Sequence, residues 1–375
     1  MERHRARTEP AGVAVYPPAP SAARFPAGQH ADGRPTLTAA HVDLLVLNWN
    51  GRGWLTSALG AVASQAGSNR LWLVDNGSTD GSVGFIREQF PAVHALEMGR
   101  NLGFGTAYNR AITACDAEFI VLLNNDTVVQ PGWLEALLTE AEAHPEAAAV
   151  GSKLLFLEHP DVLNHAGGFL TPLGSAFDTG FGAPDGPAFD TARAVGCATG
   201  AAMLVRREAF LTVGGFDESY FAYFEDADLC WRFWLRGWTV RYAPAARVLH
   251  AYGGSTGPGR LSPFRIEHCQ MNRLQNMFRN LATATLLRTL PASLAFDAYR
   301  VAGLLTGGER DAASAHLRGT RRFLSLLPHV LPERRRVQAS RVRSDQELRR
   351  LGVLVSLGDA AREWRRIAKH DTRDG

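Results

Sequence analysis

Cysteine is scarce in this 375-residue chain, and the four present, Cys115, Cys197, Cys230 and Cys269, show neither close pairing nor metal-site spacing. That excludes a disulfide framework and reads as small buried thiols in a reducing cytosol. Long apolar runs are missing too. No stretch reaches the roughly 18 uninterrupted apolar residues of a membrane span. The nearest, 281–306, is broken by Arg288, Pro291, Asp297 and Arg300. The N-terminus carries arginines but no apolar core of a signal peptide. The dinucleotide fingerprint G-x-G-x-x-G is absent as well: NLGFG (101–105) holds only G-x-G, which argues against a Rossmann dehydrogenase. The expectation is a cytoplasmic protein, at most peripheral at the inner face of the cell membrane.

What is present suffices for a large core, with 46% hydrophobic residues and length enough for two domains plus ends. The net charge of +3 hides an asymmetry. From Arg260 onward there are 22 basic and 11 acidic side chains, whereas residues 41–259 carry 13 basic and 23 acidic. An acidic body with an arginine-rich tail suggests a tail that meets something anionic.

Residues 1–40, rich in Ala, Pro and Arg without periodicity, read as a disordered extension. From residue 43 strands alternate with helices. DLLVLN (43–48), LWLV (71–74), residues 93–98 and FIVLL (119–123) read as strands; 53–66, 80–90, 104–115 and a segment opening at Pro131 read as helices. That alternation predicts an α/β fold with a parallel, doubly wound sheet. Residues 160–200 read as long loops with short strands. A helix over 224–236 and two strands, 239–243 and 246–250, follow; from 262 the pattern is helical. The division expected is 1–40, a domain over 41–260 and a basic helical region over 261–375.

Apolar strands that stop abruptly in Asp, Asn and Gly point to ligand-binding loops at the carboxyl edge of the sheet. Asp75, in VDNGSTDGS (74–82), fits a tight turn with Asp80 capping the next helix, and equally a carboxylate accepting a base imide N–H. Trp49 could stack on that base or lie in the core. Asn124, Asn125 and Asp126 fit a turn, and equally a site where a carboxylate holds a hard divalent cation on a diphosphate. In YFEDADLCWRFWLRGW (223–238), Asp228 and Arg232 are spaced to pair on a helix surface, which leaves Asp226 as the better general base. His250 ends a short strand before the small-residue loop AYGGSTG (251–257); a lone histidine there is structural or a ligand.

Taken in order, VLNWNG (46–51), VDNGSTDGS (74–82), RNLGFGTAYNRAI (100–112), LLNNDT (122–127), GGFDESYFAYFEDADLCWR (214–232) and VLHAYGGSTG (248–257) resemble the family 2 glycosyltransferases of GT-A fold, especially bacterial rhamnosyltransferase-like members. The resemblance implies that Asp75 recognises the base, that Trp49 stacks on it, and that Asn101 and Gly103 lie along the donor nucleotide. Asp126 matches the last acid of the family's D-x-D motif, which holds Mn²⁺ or Mg²⁺ on the donor diphosphate. His250 matches a histidine that completes the metal site in some members. Asp226 matches the acid that deprotonates the acceptor hydroxyl. Asn124 replaces the first acid of D-x-D, which lowers the charge offered to the metal or leaves that side chain to hydrogen-bond ribose.

The function expected is therefore inverting transfer of a sugar, rhamnose from dTDP-rhamnose by resemblance, onto a cell-surface glycan or polyprenyl-diphosphate-linked acceptor. Two alternatives stand beside it: a nucleotidyltransferase, for which GRGW (51–54) is a poor phosphate loop, and a non-catalytic nucleotide- or sugar-binding protein. The C-terminal arginines, among them Arg321, Arg322, Arg334, Arg335 and Arg336, fit a solvated face or an anionic membrane, where each basic residue is worth about 1 kcal/mol. No basic groove interleaved with aromatics suggests nucleic acid.

Overall fold

The computed structural model describes residues 41–252 and 262–363; the extension 1–40 and most of the loop after Tyr252 lie outside them. Leucine- and valine-rich runs form the strands. β1 (Val42–Asn48), β2 (Arg70–Asp75), β3 (His94–Glu97) and β4 (Phe119–Asn124) pair in parallel in the order β3-β2-β1-β4, connected by α1 (Arg52–Ala66), α2 (Ser82–Gln89) and α3 (Phe104–Thr113). Alternation along the strands fills both faces. Leu44 and Val46 join the core under α1, whereas Leu45 joins the core under α3. Leu44, Leu45 and Val46 are fully buried, each contributing about 1.5–3 kcal/mol.

Beyond β4 come β5 (Thr127–Val129), α4 (Trp133–Ala143), β6 (Ala147–Phe156), β7 (Leu163–His165), β8 (Gly168–Leu170), β9 (Ala176–Asp178), β10 (Arg193–Ala194) and β11 (Ala202–Arg206). After α5 (Arg207–Thr212) and α6 (Glu225–Leu235), β12 (Thr239–His250) returns to the sheet. The order continues β4-β11-β6-β12-β10; β11 is antiparallel to both neighbours and β6 and β12 are parallel. The result is the mostly parallel, helix-covered sheet expected. β8 and β9 form a separate two-stranded ribbon within the region read as long loops.

Three local expectations need correction. Pro131 does not open a helix: β5 intervenes, Gly132 at φ 79° caps, and α4 begins at Trp133. Residues 239–250 form one strand instead of two, with a bulge between Ala243 and Arg247 where register shifts against β6. Asp80 is one residue too early to be the N-cap of α2. It accepts from Ser82 N at 3.0 Å and from Arg52 N at 2.9 Å, joining the starts of two helices.

Four helices follow: α7 (Pro263–Asn280), α8 (Thr283–Thr306), α9 (Arg310–Ser340) and α10 (Asp345–Arg350). α7 packs on both α6 and α9. Its junction with α6 is ionic, and here the sequence reading fails physically: Asp228 and Arg232 pair at 2.8 Å in the interior, not on a surface. A carboxylate alone there would be costly. Asp228 accepts from Arg232, Arg279 and Asn280, and Arg279 also meets Asp217, which His329 of α9 contacts at 3.2 Å. Arg279 and His329 hold Asp217 far below the usual carboxylate range against burial, which acts in the opposite direction. Among the described residues the four cysteines are free thiols, three of them buried, and no helix is long and apolar enough to cross a membrane.

Candidate active site

Register brings the candidate polar residues to one edge. Asn48 lies beside Asp75 in the β1–β2 pair, and Leu47 lies beside Asn124 in the β1–β4 pair, so β1, β2 and β4 end their apolar runs at the same level. Asn48 then acts as a hub. Its Nδ2 donates to Asp75 Oδ1 at 3.1 Å and to Ser78 Oγ at 3.0 Å, and its Oδ1 accepts from Asn125 Nδ2 at 2.7 Å. Asp75 Oδ2 also accepts from Ser78 N at 2.9 Å. Asp75 is therefore a turn-forming residue in this structure, with its carboxylate held in place at the rim. Trp49, next to the hub, is 40% exposed and free to present its ring to solvent or a ligand.

A second asparagine organises the next loop. Asn76 Nδ2 donates to Asn101 Oδ1 at 3.0 Å and to Gly103 O at 3.2 Å, while its Oδ1 accepts from Leu102 N at 2.9 Å. Asn101 Oδ1 accepts from Gly103 N at 2.9 Å. Gly103 has φ 82° and lies against the backbone of Phe221, so a Cβ there would meet both strain and a carbonyl. Gly103→Ala is expected to lose about 1–3 kcal/mol of stability, read by urea unfolding. A cost below the ordinary scatter of surface changes would mean that this contact is not tight.

Asp126 and His250 meet because β5 pairs with β12: Thr127 lies opposite His250, and Ala251 N donates to Asp126 O at 3.0 Å. His250 Nε2 is 3.4 Å from Asp126 Oδ1, and both residues are buried. His250 Nδ1 lies 2.8 Å from Asn164 Oδ1, so Asn164 anchors one side of the ring while Nε2 faces Asp126. An imidazole nitrogen and a carboxylate oxygen converging in this way are a pair of donors that would suit a divalent cation. Among the described residues no group of three or more His, Cys, Asp or Glu is placed to hold a metal ion. Asn124, half-buried, uses its backbone N to bond Ala201 O at 3.0 Å.

Asp226 sits in the first turn of α6 and is linked to the same edge through the backbone preceding β11. Its Oδ2 accepts from Gly200 N at 2.9 Å, one residue from the carbonyl that holds Asn124, and its Oδ1 accepts from Ala227 N at 2.7 Å. Burial raises the Asp226 carboxyl above the usual range, the two N–H donors oppose this, and Asp178 raises it further. The segment before it is strained: Tyr223 and Phe224 have φ 71° and 66°. Asn272 of α7 fastens that segment by donating to Ala222 O and Tyr223 O at 2.9 and 2.8 Å.

Several neighbours carry no readable motif. His165 Nδ1 bonds Asp178 Oδ1 at 2.7 Å, and His165 acts on Asp226 in the opposite sense to Asp178. Glu225 is buried, with Oε2 lacking a partner among the described residues; burial pushes its carboxyl well up, and Asp226 adds to the effect. Arg265 of α7 donates to Tyr252 Oη at 3.0 Å, with its guanidinium 5.5 Å from the Tyr223 ring and 5.7 Å from the Tyr252 ring. Tyr252 in turn packs edge-on against His250. Asn48 and Asn76 lay inside the quoted motifs as asparagines at strand ends. Arg265, Asn164 and Asn272 come from distant segments, and only tertiary packing reveals them.

A model of the family described as Glycosyl transferase family 2 matches residues 43–214. An N-acetylglucosaminyl-diphospho-decaprenol L-rhamnosyltransferase of Mycobacterium tuberculosis is 36% identical over 222 residues, covering 52% of this chain and 71% of that protein. A pre-mycofactocin glycosyltransferase of the same organism is 31% identical over 211 residues, covering 50% of this chain and 42% of its own length. A crystal structure of GalNAc-T7 with UDP, GalNAc and Mn²⁺ superposes with a TM-score of 0.55 at 14% identity, over 69% of this chain and about half (52%) of that one. At that identity it speaks for the GT-A fold alone. The family match together with the 36% relative supports one conclusion: this chain belongs to glycosyl transferase family 2.

Proposed function

We propose that the chain is a metal-dependent, inverting glycosyltransferase that moves a sugar from a nucleoside-diphosphate donor to a hydroxyl of a lipid-linked glycan acceptor. The observation that carries the reading is a pair able to take a cation, Asp126 and His250, and a half-buried carboxylate, Asp226, tied to one sheet edge through Gly200 and Ala201. The relative named for an N-acetylglucosaminyl-diphospho-decaprenol acceptor and an L-rhamnosyl donor suggests the substrate class. dTDP-rhamnose is the donor proposed first.

Each residue then has a role. Trp49 stacks on the base and Asp75 accepts its imide N–H. Asn101, Gly103, Asn124 and Asn125 line the nucleotide from the loops that Asn76 and Asn48 hold in place. Asp126 Oδ1 and His250 Nε2 would hold Mn²⁺ or Mg²⁺, which supplies positive charge against the developing charge of the leaving diphosphate. Arg265, fixed between two tyrosine rings, adds a permanent charge near that site. Asp226 removes the acceptor proton while the acceptor oxygen attacks the anomeric carbon from the face opposite the diphosphate. One C–O bond forms, the bond to diphosphate breaks, and the configuration inverts. The raised carboxyl of Asp226 makes it a stronger base than an ordinary aspartate.

The test is transfer of rhamnose from dTDP-rhamnose to N-acetylglucosaminyl-diphospho-polyprenol, with the anomeric configuration of the product read by NMR. An inverted product is expected. A retained configuration would refute the single displacement.

A further inference from the structure

The helix that the sequence offers as its nearest approach to a membrane span, α8, does not cover its apolar side. Leu287, Pro291, Leu294, Ala298, Ala302 and Leu305 recur at spacings of three and four residues, so they share one face. All six are exposed, Leu287 by 64%, Leu294 by 62% and Leu305 by 53%. The helix's one acid, Asp297, faces away, bonded to Arg273 at 2.7 and 2.8 Å and to His316 at 3.2 Å. From Leu287 to Leu305 this face runs about 27 Å along the helix, and an uncharged apolar face of that extent in water is a binding surface. The neighbouring helix α9 exposes Leu317, Leu324 and Leu331 at seven-residue intervals, with Arg321 and Arg335 interleaved on the same face. Arg288, Arg310, Arg321 and Arg335 are exposed and have no acidic partner within 4 Å among the described residues.

We propose that α8 lies flat in the interface of an anionic bilayer, with its leucine face in the acyl boundary and the unpaired arginines of α8 and α9 against anionic headgroups. Charge selects this occupant. A lipid surface accepts apolar insertion and arginine at once, because the arginine stem stays with the chains while the guanidinium reaches the phosphates. Interrupted by Arg288 and Arg300, and with Asp297 on its inner side, the helix fits the plane of the interface and not a passage across it. None of the residues proposed for catalysis or donor binding is involved, so the proposal stands or falls separately from the glycosyltransferase reading.

The test is sedimentation of the full chain with vesicles of phosphatidylcholine alone and of phosphatidylcholine mixed with phosphatidylglycerol, at low and high salt. Binding is expected only to the anionic vesicles and should weaken with salt. The triple change Leu287→Ser, Leu294→Ser, Leu305→Ser should lower vesicle affinity about tenfold or more. Melting and nucleotide release should stay unchanged, because these side chains already face solvent. Arg321→Gln with Arg335→Gln should reduce the preference for anionic lipid. Absence of vesicle binding by the native chain, or equal binding by the triple variant, would overturn the proposal. So would a dimer in size-exclusion chromatography that the triple variant disperses, since that result assigns the face to a second copy.

Discussion

Asp226→Asn is expected to lower turnover by roughly 10²–10⁴-fold, the usual worth of a positioned general base, while nucleotide binding persists. The reason lies in the geometry. Gly200 N and Ala227 N hold the carboxylate at the edge that also carries Asn124, and an amide can occupy that place without accepting a proton. The same environment fixes the sign of the pH dependence. Burial raises the carboxyl above the ordinary value of 3.8, and the base works only when ionised. Turnover should therefore fall as pH drops through the raised value, earlier than for an ordinary aspartate, and the variant should lack that limb. A pH–rate profile of both proteins checks this. Near-native turnover by a folded Asp226→Asn variant would assign the proton to another group.

Arg279→Met should have the largest effect on stability, a loss of about 3–5 kcal/mol, because it removes one partner of a buried ionic network and leaves the others uncompensated. Asp228 would keep Arg232 and Asn280 but lose two guanidinium contacts, and Asp217 would keep His329 and the Ser219 N–H but lose its guanidinium. The consequence should reach the site, since Asp228 and Asp226 share the first turn of α6 and Arg279 belongs to the helix that carries Asn272 and Arg265. Urea unfolding measures the loss. A cost below about 1 kcal/mol, the range of exposed pairs, would show that the junction between α6 and α7 is not held by these charges.

The sequence carried the first half of the fold clearly because β1, β2 and β4 are continuous apolar runs buried on both faces. Their terminal residues were readable for the same reason, since polar groups can begin only where the sheet ends. The carboxyl edge formed by Asn48, Asp75 and Asn124 follows directly. Legibility ended where tertiary contacts decide. An i, i+4 acid–base pair looks like surface decoration, and only Arg279 and Asn280, about fifty residues away, make a buried site for Asp228. The bulge in β12 and the turn at Gly132 were likewise invisible, because propensity does not report register. His250 was ambiguous as a lone histidine until strand pairing set it beside Asp126 and Asn164 anchored its other ring nitrogen.

The most direct measurement is release of nucleoside diphosphate from a panel of nucleotide sugars, with Mn²⁺ or Mg²⁺ and with EDTA, by the native chain and by Asp226→Asn, supplied with N-acetylglucosaminyl-diphospho-polyprenol. The account predicts release from one donor, dTDP-rhamnose first among them, abolished by EDTA and lowered about a hundredfold or more by the substitution. Release that ignores EDTA and survives in Asp226→Asn would contradict both the cation at Asp126 and His250 and the base at Asp226.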